Sequence, residues 1–227
     1  MPNLKEVRNR ISSVQSTQQI TKAMKMVSAA KLRRATDAIT QMRPYATKLR
    51  EILENLSGSM DGDVGGAFAQ VRPVNKVLII AVTSNRGLCG GFNANIIRTV
   101  NRMVNEQYAA QYKAGGVKVL CIGKKASDLF SKNSSLYAGN HNDLFSHLTF
   151  DNTAAIAEAV TQAFLAGEYD RVEIVYNHFR NAAVQVVTTE QMLPIQPTHE
   201  CVTKSNLDYI FEPSKVEIIT ELIPKTL

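Results

Sequence analysis

Apolar residues near the amino terminus recur at alternating steps of three and four: Leu4, Val7, Ile11, Val14, Gln18, Thr21, Lys25, Ser28, Leu32, Ala35, Ile39, Met42, Ala46, Leu49, Leu53 and Leu56. Twelve of these sixteen positions are apolar, and the four polar ones are consecutive. Such spacing predicts one long helix with a coiled-coil seam over residues 1–56. At 1.5 Å per residue it would reach roughly 75–80 Å, more than a compact domain of this size needs, so something outside the domain must receive it. Asn3 is the expected N-cap, and Pro44 is expected to kink or interrupt the helix by removing an amide donor. Beside the polar seam positions runs a second stripe, Ile20, Ala23, Met24, Val27 and Ala30. Either the coiled coil stutters there, or the outer surface meets another protein.

The pattern changes after residue 56. Gly58, Gly62, Gly65, Gly66 and Pro73 mark 57–75 as a linker, and 76–213 reads as an α/β domain. Residues 76–83 (KVLIIAVT) form a near-continuous apolar run, as in a strand buried on both faces. A helix follows, capped by Asn93, with Ile96, Ile97, Val100, Met103, Val104 and Tyr108 on one face and Gly115-Gly116 at its end. Residues 117–122 make a second strand and 124–132 a short helix. Residues 133–150 look irregular, with an extended piece near 144–150. Asn152 is the expected cap of a helix carrying Ile156, Ala159, Val160, Ala163 and Phe164, closed by Gly167. Residues 172–179 and 184–193 form an antiparallel pair across a short turn. This order predicts a Rossmann-like mixed sheet with helices on both sides. Residues 214–227 begin another amphipathic helix, with Ser214 and Glu217 as a capping box.

Charge sharpens the picture of the first element. The first fifty residues hold eleven Lys and Arg but only two acids, Glu6 and Asp37, so they carry +9 while the whole chain carries +6. That bias calls for an acidic partner: nucleic acid, an anionic membrane or an acidic protein surface. Lys5, Arg10, Lys22, Lys31, Arg34, Arg43 and Lys48 scatter around the whole helix at 100° per residue, whereas a DNA-reading helix concentrates them on one face. The scatter fits a rod enclosed by acidic surfaces. No apolar run reaches the roughly 20 residues of a membrane span. The amino terminus lacks the apolar stretch of a secretory signal, and Glu6 with the unbroken seam favours a mature helix over a transit peptide. Cys89, Cys121 and Cys201 form no CxxC and read as reduced thiols; Cys89 could be a nucleophile, but a small buried hydrophobe is the commoner role.

Few residues suggest catalysis. The segment 83–93 (TSNRGLCGGFN) lies between a strand and a helix, where α/β folds often hold phosphates. It is neither GxGxxG nor a P-loop, so it reads as a tight turn in which Gly87, Gly90 and Gly91 take positive φ. His141 and His147 share a polar loop with Asp143, where a metal site is conceivable but loop polarity serves equally well. There is no GxSxG, HExxH or DxDxDG pattern. A coupling or structural protein is therefore expected, without cofactor or metal. A nucleic-acid-binding protein using the basic helix and a nucleotide-binding enzyme using the glycine turn are the alternatives.

Four separated motifs then resemble one family in the right order: residues 20–35 (ITKAMKMVSAAKLRRA), Arg43-Pro44-Tyr45, residues 86–93 (RGLCGGFN) and residues 208–213 (DYIFEP). Together they resemble the ATP synthase gamma subunit over essentially all of residues 3–227. The resemblance implies a central rotor shaft, in which amino- and carboxyl-terminal helices form an antiparallel coiled coil inside the ring of alpha and beta subunits. Lys22, Met24, Lys25, Lys31, Arg33 and Arg34 would meet the acidic lever regions of the beta subunits. Asp208, Tyr209 and Glu212 would lie in the foot domain, against the epsilon subunit or the membrane rotor ring. The glycine turn would be a feature of the domain core. Catalysis would belong to the beta subunits, with no nucleic acid bound and no insertion into the membrane. The family's long carboxyl-terminal helix is expected to be missing beyond Leu227. The cysteine-bearing insertion of chloroplast members is absent, which favours a bacterial type at the cytoplasmic face of the inner membrane.

Overall fold

A computed structural model describes residues 3–57, 68 and 70–195. The chain divides into two compact units, residues 1–50 and 51–227. Among the described residues, the first unit is Asn3 followed by residues 4–50 of helix α1 (Leu4–Ser57). Asn3 caps it as expected: its side-chain oxygen accepts from Lys5 N at 3.4 Å, and its carbonyl accepts from Glu6 N and Val7 N. The expected interruption at Pro44 does not occur; the helix runs through it. One missing amide costs one rung of a long cooperative ladder, and the turns on either side carry the helix past it.

The second unit is built on a five-stranded sheet, with the order β3-β2-β1-β4-β5. Its strands are β1 (Val77–Val82), β2 (Val117–Ile122), β3 (Tyr137–Asn140), β4 (Arg171–Phe179) and β5 (Gln185–Leu193). Strand β1 pairs in parallel with β2 and β4, β2 in parallel with β3, and β4 antiparallel with β5. Side chains alternate across a strand, so the apolar run of β1 feeds two cores. Val77, Ile79 and Ala81 join Val119, Cys121 and Val175 beneath Ile96, Val100, Met103 and Val104 from helix α2 (Phe92–Arg102) and the π-helical turn Met103–Gln107. Short helices α3 (Ala109–Lys113) and α4 (Lys124–Phe130) follow, and α4 adds Ala126 and Phe130 to that core. Leu78, Ile80, Leu120, Ile122 and Val172 face the other way, onto Val160 and Phe164 of helix α5 (Phe150–Leu165). The result is a mixed sheet with helices on both faces and a long amino-terminal helix, as the pattern predicts.

Local chemistry ends the helices where glycine permits. At α3, Gly115 (φ 76°) donates to Tyr112 O and Gly116 N to Gln111 O, while a Cβ on Gly116 would sit 2.2 Å from Asn75 O. Gly115 thus supplies the left-handed turn and Gly116 the close approach.

Three boundaries differ from the sequence reading. The cap of α2 is Gly91, and Asn93 lies inside the helix. The cap of α5 is Thr149, whose hydroxyl accepts from Asn152 N at 3.3 Å. Residues 144–150 are not extended; Asn142–Phe145 is a 3₁₀ turn, and strand β3 precedes it. Residues 70–75 are bonded to this same unit. Asp170 Oδ2 accepts from Asn75 N and Lys76 N, and the Arg72 guanidinium lies 5.2 Å from the centre of the Phe164 ring. Residues 214–227 lie outside the described residues.

Candidate functional site

Helix α1 presents its basic residues outward. Lys22, Lys25, Lys31, Arg33 and Arg34 are all exposed. Arg33 Nε lies 3.9 Å from Asp37 Oδ2 one turn on, a solvent-exposed pair of the kind that contributes only about 0–1 kcal/mol. Among the described residues, Lys22, Lys25, Lys31 and Arg34 have no acidic partner. The second stripe is exposed too: Ile20, Met24 (62%) and Val27 share one face at helical spacing. The helix hydroxyls are turned to their own backbone. Thr17, Thr21, Thr36, Thr40 and Thr47 each donate to the carbonyl four residues earlier, at 2.7–2.9 Å. Thr21 in the polar stretch of the seam therefore offers less polarity than its name suggests. What remains outward is positive charge beside apolar surface.

The turn between β1 and α2 is organised by Asn93. Its side chain is buried; Oδ1 accepts from Ser84 N at 2.9 Å, and Nδ2 donates to Ser84 Oγ at 2.9 Å and Cys89 Sγ at 3.1 Å. Of the three glycines expected at positive φ, only Gly90 (57°) takes it; the other left-handed residue of the turn is Leu88 (62°). Leu88 and Cys89 are fully or largely exposed. Residues 86–91 of the turn are exposed, although Thr83 and Asn93 at its ends are buried, and Cys89 is not a buried hydrophobe: one bond from Asn93 Nδ2 reaches its thiol.

A phosphate at this end of the sheet would need free amides at the start of a helix. The helix the turn leads into, α2, has no side-chain cap, but at the start of the neighbouring helix α4 protein groups occupy them. Lys124 N donates to Asn85 Oδ1, Lys125 N to Ser84 O, and Ala126 N to Thr83 Oγ1.

His141, Asp143 and His147 line one groove of about 410 Å³ together with Asn140, Leu144, Asn152, Ala155 and Ile156. Among the described residues, no three His, Cys, Asp or Glu side chains converge to hold a metal ion. Asp208, Tyr209 and Glu212 lie outside the described residues.

One buried cluster escaped the sequence reading. Glu173 in β4 is 5% exposed, accepts a 2.6 Å hydrogen bond from Tyr108 Oη, and has Arg171 Nη1 3.8 Å away. Gln107 Nε2 donates to the same phenol oxygen at 3.0 Å. Burial, then the bond to Glu173, push the Tyr108 phenol up to about 12, and Arg171 opposes the shift. A lone glutamate inside the apolar run VEIV was the available signal.

Comparison with known proteins gives these surfaces a context. The family model described as ATP synthase matches residues 3–227. The ATP synthase gamma chain of Flavobacterium johnsoniae is 56% identical over 227 residues, covering all of this chain and 77% of that one. The gamma chain of Cytophaga hutchinsonii is 50% identical over 230 residues, covering all of this chain and 78% of its own length.

The chain belongs to the ATP synthase gamma family.

Its fold agrees. A chain in the cryo-EM structure of the central stalk and c-ring of Tetrahymena thermophila mitochondrial ATP synthase superposes with a TM-score of 0.62 at 29% identity, over 91% of this chain and 88% of that one. A chain of the Euglena gracilis ATP synthase rotor shares the fold, with a TM-score of 0.59 at 21% identity over 96% of this chain and 79% of that one. The gamma family thus assigns this chain the role of a rotor subunit in the central stalk. No helix among the described residues is long and apolar enough to cross a membrane.

Proposed function

We propose that this gamma-family chain transmits rotation between a membrane rotor ring and the beta subunits of ATP synthase, and carries no catalytic site of its own. The observation that carries the reading is the surface of α1, where unpaired cations lie beside an exposed apolar stripe. In this reading Lys22, Met24, Lys25, Lys31, Arg33 and Arg34 bear on acidic surfaces of the beta subunits as the shaft turns. Asp208, Tyr209 and Glu212 contact the epsilon subunit or the rotor ring. The alpha subunits complete the enclosing ring, and the assembly works at the cytoplasmic face of a bacterial inner membrane. The scatter of charge around α1 favours an enclosing protein over nucleic acid.

Charge reversal tests this. An exposed charge costs little to the fold when reversed, but at an interface it meets like charge and can cost several kcal/mol. Arg33→Glu with Arg34→Glu, in the assembled complex, is expected to reduce ATP-driven proton pumping disproportionately to ATP hydrolysis. Pumping and hydrolysis that keep their wild-type ratio would reduce these residues to solvated charge.

A further inference from the structure

Helix α1 changes character part-way along. Residues 22–35 (KAMKMVSAAKLRRA) contain no Thr, Gly or Pro, and most of them are strong helix formers. The turns that follow differ. Thr36 Oγ1 donates to Leu32 O at 2.9 Å, Thr40 Oγ1 to Thr36 O at 2.8 Å and Thr47 Oγ1 to Arg43 O at 2.9 Å. Each hydroxyl competes for a carbonyl of the helix ladder, which weakens a helix and often bends it. Pro44 stands in the same stretch, with no amide to offer Thr40 O and a ring that crowds that carbonyl.

These four residues share a face of the helix. At about 100° per residue, Thr36, Thr40, Pro44 and Thr47 fall within about 80° of one another. The seam residues Ala35, Ile39, Met42, Ala46 and Leu49 lie about 135° round the helix from them. No Ser, Thr or Pro stands on the seam side between residues 35 and 49. The ladder is therefore loosened only on the side turned away from the seam. Longer hydrogen bonds on one side make that side convex, and a proline ring pushes the helix the same way. Thr17 and Thr21 make the same bonds but lie on the seam side, with no proline beside them.

We propose that α1 carries a one-way bend at residues 36–47, convex on the face of Thr36, Thr40, Pro44 and Thr47, that curves the helix towards whatever occupies its seam. A straight helix drifts by about 20° per heptad from a three-four seam, and curving towards the seam keeps it on a partner. The segment 22–35, with Lys22, Lys25, Lys31, Arg33 and Arg34, then leans as one stiff piece. The bend belongs to α1 itself; the rotor reading enters only through the assembly in which it is imaged.

Cryo-EM of the purified assembled complex tests this, with the local axis of α1 followed from residue 22 to residue 50. The expected result is a bend of about 20° towards the seam, centred within 36–47. Thr40→Val with Pro44→Ala should roughly halve it, whereas Thr17→Val with Thr21→Val should leave it unchanged. A straight axis, a bend in another direction, or a bend indifferent to Thr40→Val with Pro44→Ala would each overturn the proposal. Hydrogen exchange on the full chain reads the loosening without the complex. Backbone amides in 40–48 should exchange about ten-fold faster than those in 24–35, and Thr40→Val with Pro44→Ala should close the gap. Equal rates in the wild type, or a gap that the double variant leaves open, would overturn the proposal too. A chain that does not enter the complex overturns the rotor reading, and exchange then decides the bend alone.

Discussion

Tyr108 Oη donates to Glu173 Oε1 at 2.6 Å, joining the end of the π-helical turn to strand β4 across 65 residues of sequence. The turn matters because a π-helical insertion changes which residue faces the sheet. The bond satisfies one oxygen of a carboxylate that is almost wholly withdrawn from water.

Tyr108→Phe should therefore destabilise the α/β unit by about 1–3 kcal/mol, the cost of stripping a buried polar group of its partner. The tyrosine also sets an alkaline limit. Its phenol is raised to about 12 in the folded chain, above the ordinary value near 10. A folded-state pKa above the unfolded one stabilises below pH ~10 and loses that contribution as pH climbs towards ~12. Urea unfolding at pH 7 and at steps from 9 to 11 checks both points. Wild type should lose stability more steeply across the alkaline steps than Tyr108→Phe; parallel curves would refute the assignment.

The two described cysteines should part company towards alkylating agents. Cys89 is exposed, whereas Cys121 lies in β2 with its thiol pushed up to about 12 by burial. Only the thiolate reacts at an appreciable rate. In a Cys201→Ser background, iodoacetamide at pH 8 should label position 89 within minutes and leave 121 intact until denaturant is added. Rapid labelling of Cys121 in the native chain would show that the sheet opens far more freely than its packing implies.

Glycines 123 and 90 should tolerate alanine very differently. Gly123 has φ 107°, and a Cβ there would lie 2.1 Å from the Thr83 carbonyl oxygen, a backbone atom that cannot step aside. Gly123→Ala should cost more than about 3 kcal/mol or prevent folding, since strain and collision add. Gly90 has φ 57° with nothing within 4 Å of the added carbon, so Gly90→Ala should cost only about 1–2 kcal/mol. Thermal unfolding of the two variants side by side gives the ranking; equal losses would contradict it.

How much of this could be read from the chain depends on how many faces of an element are buried. Strands β1 and β2 announce themselves because both faces are apolar, and β4–β5 because a short turn separates two long β-branched runs. Strand β3 does not: Tyr137-Ala138-Gly139-Asn140 has no apolar run, and its pairing with β2 shifts register between Val119 and Leu120. The pattern displaces two caps by a few residues because Gly91 and Thr149 compete with nearby asparagines that look equally suitable. The turn at 83–93 was legible as a turn but not in detail. That Leu88 and Gly90, and not Gly87 or Gly91, take positive φ is something the local pattern does not display. The basic residues of α1 were plain in the sequence, and the structure adds that the helix leaves them facing solvent. The Glu173 cluster needs the π-helical turn, which brings Tyr108 to a strand that begins sixty-three residues later.

The central position of β1 sets a timetable for synthesis. Val77 pairs with Val117 on one side and with Arg171 on the other, 94 residues downstream. At 5–20 residues per second, the ribosome takes roughly 5–20 s to deliver that second neighbour. Throughout that interval the most apolar segment of the nascent chain has at most one flank covered, an open edge that other chains can join. Newly made protein is thus most vulnerable to misassembly before β4 emerges, and it is then that a chaperone would serve it best.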